Sequence, residues 1–343
     1  MNRRRLLQAA AATPLLAGSA TTMFANTFAA TPPVGFRRVR PGDAAWPSAG
    51  LWEQLGRDVG GRLVTVPRPF EACRGTPTAA ACAELFKSLK NPYFIGDAVG
   101  LTQSLGWVDA WTSQPSAYAV AARTTGDVVA AVNFARQHKL RLVVKGGGHS
   151  YQGTSNAPDS LLVWTRQMND ITLHDAFVAA GCDGQAKPTR AVTVGAGALW
   201  AHVYDAVTTQ AGGYVQGGGC MTVGVAGLVQ SGGFGSFSKA FGLASGSLLQ
   251  AEVVTADGAV RVANACTNPD LFWGLKGGGG GSLGVVTRLT LRIHQLPETF
   301  GAVIMTSKAA SAPASRRLIG LIVDFYGRSL MNRPWGEQIR FRA

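Results

Sequence analysis

Two residues able to bond to a ligand each close a run of glycines. His149 follows Gly146, Gly147 and Gly148 in RLVVKGGGHSYQG, and Cys220 follows Gly217, Gly218 and Gly219 in YVQGGGCMTVGVAG. Glycine lacks a Cβ, so backbone N–H groups in such loops can approach anionic oxygens closely. A neutral imidazole and a thiolate are both nucleophiles. A third loop, LKGGGGGSLGVV, lies at 275–286. Three such loops at strand ends can converge on one large ligand carrying phosphates. Taken alone, the first loop reads equally as a strand and a flexible turn with His149 in solvent.

Simpler motifs fail. The run Gly279-Gly280-Gly281-Ser282-Leu283-Gly284 matches GxGxxG, but the residues after it read as a strand, and a dinucleotide fingerprint needs a helix there. No GxxxxGK[ST] string occurs, which removes the P-loop. No CxxC or HExxH occurs either, so no metal is expected.

The elements that must position these loops are legible in part. Val128, Val132 and Ala135 share a face and predict a helix over 125–139, capped by Thr125 with Asp127 in its first turn. The apolar run 140–144 predicts the strand that delivers the first loop. AVTVGAG predicts a second strand, followed by a helix near 199–209. Two strand-like runs around Asp257-Gly258 predict a hairpin, Asn268 predicts a cap for a short helix, and VVTRLTLRI alternates like a strand. Residues 31–111, rich in proline, tryptophan and glycine, read as an N-terminal arm. The class expected is α+β.

Composition narrows the function. A chain of 343 residues with 46% hydrophobic and 15% charged residues builds a sizeable core. Its 44 glycines have no repeat, which excludes collagen-like and linker readings. The net charge of +13 is scattered apart from FRRVR at 36–40, and no nucleic-acid motif accompanies it. It reads as a solubility and steering property, with no nucleic-acid partner. Arg3, Arg4 and Arg5 precede an apolar run, Leu6 to Leu16, too short to span a bilayer. Residues 1–30 resemble a twin-arginine export signal, so a periplasmic or extracellular destination is expected. No other segment is a membrane-span candidate. Of five cysteines, Cys73 and Cys82 flank a turn-rich loop and are candidates for a disulfide, as are Cys182 and Cys266. That leaves Cys220.

Three strings in series, VVKGGGHSYQG, GGGCMTVGVAGLVQSGGFG with its continuation to TADG, and NPDLFWGLKGGGGGSLGVVTRL, carry a specific resemblance. Together they resemble the berberine bridge enzyme-like flavoprotein oxidases, within the wider vanillyl-alcohol oxidase/p-cresol methylhydroxylase (PCMH) fold. The likeness covers residues 112–298. It implies a PCMH-type FAD-binding domain of two α/β subdomains, with 299–343 only the truncated start of a substrate-binding domain. It implies FAD bound covalently, His149 to the 8α-methyl carbon and Cys220 to C6 of the flavin. Gly146, Gly147, Gly148 and Ser150 would cradle the pyrophosphate. Gly224, Gly227, Gly232 and Gly233 would allow close backbone approach, and Val285 would line the cofactor. Val223, three positions after the cysteine, would border the pocket where oxygen meets the flavin. The family's C-terminal tyrosine-bearing segment has no counterpart, so no catalytic base is named, and Tyr326 is given no role. No role falls to His138, His174, His202 or His294. The activity implied is oxidation of an alcohol, sugar or related C–H donor, a small-molecule substrate, with molecular oxygen as acceptor. The alternatives are a non-catalytic flavin-binding module and a dehydrogenase with another acceptor.

Overall fold

The computed structural model describes residues 37–341 other than Pro77, Leu105 and Phe300; the arginine-led leader at 1–30 lies outside the described residues. The larger structural unit of the chain begins at Val39.

A four-stranded sheet carries the first glycine loop. Its strands are β1 (Leu63–Thr65), β2 (Tyr118–Ala121), β3 (Arg141–Lys145) and β4 (Ser160–Trp164), in the order β1-β2-β4-β3. β4 runs parallel to both β2 and β3, with Tyr118 opposite Leu161 and Lys145 opposite Trp164. Parallel strands buried on both faces read as continuous apolar runs, as Leu161-Leu162-Val163 does. Adjacent parallel strands need a long connection that returns to the starting edge. Between β3 and β4 that connection is the glycine–histidine loop, so it leaves from the carboxyl end of a parallel strand. This is where open α/β sheets bind ligands.

Helices α1 (Ala49–Asp58) and α2 (Thr125–Gln137) cover this sheet. Val128, Ala131, Val132 and Ala135 are buried, as the spacing predicts. The cap is Thr124, one residue before the one expected. Its hydroxyl accepts from Asp127 N at 3.2 Å, and Asp127 accepts back from Thr124 N at 3.0 Å. This reciprocal arrangement satisfies two orphan donors and outcompetes a single cap at Thr125. The Thr125 hydroxyl instead donates to Glu252, 2.6 Å away on the second sheet. Asp127 also receives the Arg62 guanidinium at 2.5 Å. Burial works against its charged form, but bonds from Arg62 and from the Arg123 and Thr124 N–H groups win and hold it below the usual carboxylate range. Through Arg62 and β1, the stretch read as an arm joins the sheet: Leu63 pairs with Val120.

The second sheet is antiparallel and five-stranded: β5 (Ile171–Phe177), β6 (Thr189–Gly195), β7 (Leu248–Val254), β8 (Val260–Asn264) and β9 (Val285–Arg292), in the order β8-β7-β9-β6-β5. The hairpin expected around Asp257-Gly258 is β7–β8, and Gly258 takes φ 82°. Helices α3 (Trp200–Tyr204), α4 (Val225–Gln230) and α5 (Pro269–Leu275) pack on it, around a core containing Trp200, Val203, Val225 and Leu289. Asn268 does precede α5, but by adopting φ 48° and donating to the Val262 carbonyl rather than by capping with its side chain. Val254 and Val285 reach from this sheet into the core beneath α2, so the two layers share apolar contacts. Disulfides join Cys73 to Cys82 and Cys182 to Cys266.

After Pro297 the character changes. Helix α6 (Ala312–Phe325) buries no residue, and Val303, Ile304 and Met305 are exposed. Among the described residues, no helix is long and apolar enough to cross a membrane, and no group of three or more metal-ligating side chains occurs.

Candidate flavin site

Lys145 ends β3 and anchors the first loop from below. Its ammonium is buried and donates to the carbonyls of Ala98 at 2.7 Å and Leu101 at 2.6 Å. Burial pushes it down to about 7. Gly148 then turns the chain with φ 78°, and its carbonyl accepts from Gln103 N at 2.9 Å. Here only glycine fits without strain. His149 follows, half-buried. The Ser150 hydroxyl accepts from Thr154 N at 3.2 Å and lies 2.7 Å from the Thr154 hydroxyl, which closes the turn.

The second loop approaches from the other side. Tyr204 on α3 donates to the Gly218 carbonyl at 2.5 Å and fixes the glycine run. Burial raises this phenol far above its usual value. A turn from Cys220 to Val223 follows, and Val223 accepts from Trp200 N at 3.1 Å. Val223 packs, partly buried, against the second core. Gly224 sits at the start of α4 and meets Gly147 of the first loop: a Cβ on Gly147 would stand 2.5 Å from Gly224 N. The loops touch backbone to backbone.

At that seam the two sequence-predicted side chains come together. His149 Nε2 lies 3.0 Å from Thr222 Oγ1, and the same oxygen lies 3.6 Å from Cys220 Sγ. Burial pushes the His149 imidazole below its ordinary value, opposed by a hydrogen bond to the Thr222 main chain. It is therefore neutral near pH 7. Cys220 is the free cysteine and is exposed. Sequence reasoning missed Thr222, because nothing within the turn shows that its hydroxyl faces the first loop.

The third loop closes the ring. Gly279 N donates to the Gln230 carbonyl at the end of α4, at 2.9 Å. Gly277, with φ 114°, lies beside Gly232. Gly232 and Gly233 also have positive φ, and a side chain on Gly233 would collide with Leu228. Val285 sits at the loop's end with its side chain in the core shared by α2 and the second sheet.

FAD needs donors for a pyrophosphate, room beside the backbone and, for a covalent mode, an accessible nucleophile. The loops offer the room and, at Cys220, the accessible nucleophile. Nothing lies within 4 Å of a Cβ placed on Gly219, Gly227 or Gly280, so backbone there faces open space beside Cys220 and along α4.

Residues 116–264 match the FAD binding domain family, so the first two loops belong to a flavin-binding domain. The FAD-linked oxidoreductase malF of Malbranchea aurantiaca is 35% identical over 297 residues, 80% of this chain and 50% of its own. Among solved structures, the VAO-type flavoprotein MtVAO615 of Myceliophthora thermophila is similar with a TM-score of 0.67 at 33% identity, covering 75% of this chain and 49% of its own. A BBE-like 1 protein of Physcomitrella patens is similar with a TM-score of 0.53 at 27% identity, over 71% of this chain and 44% of its own. The chain belongs to the FAD-linked oxidoreductases with the VAO-type flavin-binding fold. It spans about half the length of the curated relatives it matches.

Proposed function

We propose that the chain binds FAD covalently through His149 and Cys220 and serves an oxidase that takes electrons from an alcohol, sugar or related C–H donor and passes them to oxygen. The observation that carries this is the meeting of His149 and Cys220 across one hydroxyl, at 3.0 and 3.6 Å, at a seam between glycine loops. FAD, when bound, supplies the redox chemistry itself. The protein's part is to bind and orient it. Neutral His149 offers a nitrogen lone pair, Cys220 a sulfur, and Gly219, Gly227 and Gly280 leave backbone uncovered beside them. Val223, three residues after Cys220, sets the volume beside the ring and with it the access of oxygen.

A second reading, a flavin-binding module without turnover of its own, is favoured by one observation: α6, in the segment where a substrate domain would begin, buries no residue. Visible spectra separate the two. Both readings predict a yellow protein whose colour stays in the pellet after acid precipitation; release of all flavin into the acid supernatant would remove the covalent mode. Bleaching of that colour by alcohols or oligosaccharides under anaerobic conditions supports the oxidase, and no bleaching across such a panel supports the module. The likeness of residues 1–30 to a twin-arginine export signal supports a destination outside the cytoplasm; replacing Arg4 and Arg5 by Lys should retain the precursor inside.

A further inference from the structure

Three glycines precede Cys220, and a glycine run has no side chains with which to hold itself. Its hold must come from what it leans on. Gln216, fully buried, stands at its near end. That side chain is fixed twice: the Tyr214 hydroxyl donates to Oε1 at 2.5 Å, and Nε2 donates to Ser238 Oγ at 2.8 Å. The same serine oxygen accepts from Gly235 N at 2.8 Å, and a Cβ on Gly235 would collide with the Gly217 carbonyl. The glycine run therefore leans on the turn 235–238 and on the short helix Ser238–Phe241.

A helix of one turn does not hold its own place, and this one buries no residue. Residues 326–337 lie against it instead. Lys239 Nζ reaches both carboxylate oxygens of Glu337, at 2.6 and 2.7 Å, and donates to the Leu330 carbonyl at 2.6 Å. It also stands 5.3 Å from the centre of the Tyr326 ring. Arg333 donates to the Ala240 carbonyl at 2.7 Å, and a Cβ on Gly336 would collide with the Ser236 carbonyl. The Glu337 side chain is 15% exposed, so this pair is partly withdrawn from water and outweighs an open surface ion pair. Helix α6 buries nothing, whereas the residues just after it are fastened.

We infer that Lys239 is a positioning residue for Cys220. By clasping residues 326–337 it holds the helix Ser238–Phe241, keeps the Ser238 hydroxyl on Gln216 and so steadies the glycine run that presents the thiol. No bond forms or breaks and no proton moves. Lys239 acts only through Ser238 and Gln216, while Tyr204 secures the Gly218 carbonyl from the other side. The inference rests on the reading of Cys220 as an attachment residue and adds what keeps that residue in place opposite His149.

Hydrogen exchange on the full chain prepared without flavin tests it. Neither Lys239 nor Glu337 belongs to a hydrophobic core, so Lys239→Met and Glu337→Gln should both fold. Each should raise amide exchange in peptides spanning 216–222 about tenfold, the scale of one lost charge-assisted contact in a local opening equilibrium. The double variant should exchange no faster than either single one, and peptides spanning 146–154 should keep wild-type rates. A rise confined to 235–241 and 326–341 would make the clasp purely local and overturn the inference. A matching rise at 146–154 would also overturn it, because the whole fold would then have loosened, and so would effects that add in the double variant. In flavin-loaded protein, peptide mass spectrometry should find a smaller share of flavin joined to Cys220 in the variants, with the share on His149 unchanged. An unchanged Cys220 share despite faster exchange would remove the positioning role. The attachment reading fails separately: wild-type protein with no flavin on Cys220 would remove that reading, and the exchange rates would still decide whether Lys239 holds the loop.

Discussion

Gly147 and Gly224 face each other with no room for a methyl group, whereas Gly219, Gly227 and Gly280 face open space. All five belong to the same three loops and are alike in sequence. The first pair is glycine because two backbones must touch; a Cβ at Gly224 would stand 2.8 Å from Gly147 N. The second set leaves backbone uncovered where nothing in the chain requires it. Seam glycines answer to the fold, and open glycines leave backbone that a ligand can reach. The seam also holds His149 against Thr222 and Cys220, so the packing of the loops and the placing of the nucleophiles are one arrangement.

The largest effect expected is at the seam. Gly147→Ala should cost about 3 kcal/mol of folding stability, the upper range for forcing extra atoms into packed backbone, and should abolish flavin uptake. Chemical denaturation with flavin absorbance measures both; wild-type stability in this variant would remove the distinction between the two sets. Next comes the support beneath the seam. The buried Lys145 ammonium is pushed down to about 7, against an ordinary lysine value near 10.4. Between about pH 7 and pH 10 the unfolded chain therefore holds a proton that the folded chain releases, and stability rises with pH there, by about 4 kcal/mol in all. The neutral amine still has two N–H groups for the Ala98 and Leu101 carbonyls. Lys145→Met should flatten this rise in urea titrations at several pH values; an unchanged slope would place its origin elsewhere.

Val223→Leu adds one methylene beside the open set. It should slow re-oxidation of photoreduced flavin in air-saturated buffer about tenfold, or ~1.4 kcal/mol in barrier height. Stopped-flow absorbance reads this without a substrate, and equal, slow rates in both proteins would favour a dehydrogenase. The smallest change in stability is expected at an open glycine, and it sharpens the contrast most. Gly227 lies within α4 and a Cβ there meets nothing within 4 Å. Gly227→Ala should leave the flavin-free chain as stable as wild type or stabilise it by up to ~1 kcal/mol, because alanine favours helix. The same variant should lose flavin. Retained flavin would mean that the open space serves no ligand.

How much of the fold and site was legible in the sequence depended on how local the cause was. The strand at 140–144, the Asp257-Gly258 hairpin and the buried face of α2 follow from neighbours a few residues apart. The cap of α2 fell one residue early because Asp127 engages Thr124 in both directions. Residues 31–111 read as an arm because β1 finds its partner across a long separation, Leu63 with Val120, and three residues set up no periodicity. His149 and Cys220 were visible from chemical type beside glycine. Thr222 was not, and neither was the division of the glycines, since both depend on which loop packs against which.

His149 and Cys220 are expected to hold one flavin between them. Digestion of the denatured, yellow protein followed by peptide mass spectrometry tests it directly. The expected product is a single cross-linked species in which the His149 peptide and the Cys220 peptide share one FAD, and His149→Ala should leave flavin on the Cys220 peptide alone. Recovery of both peptides unmodified, from protein that carried its full flavin absorbance before digestion, would contradict it.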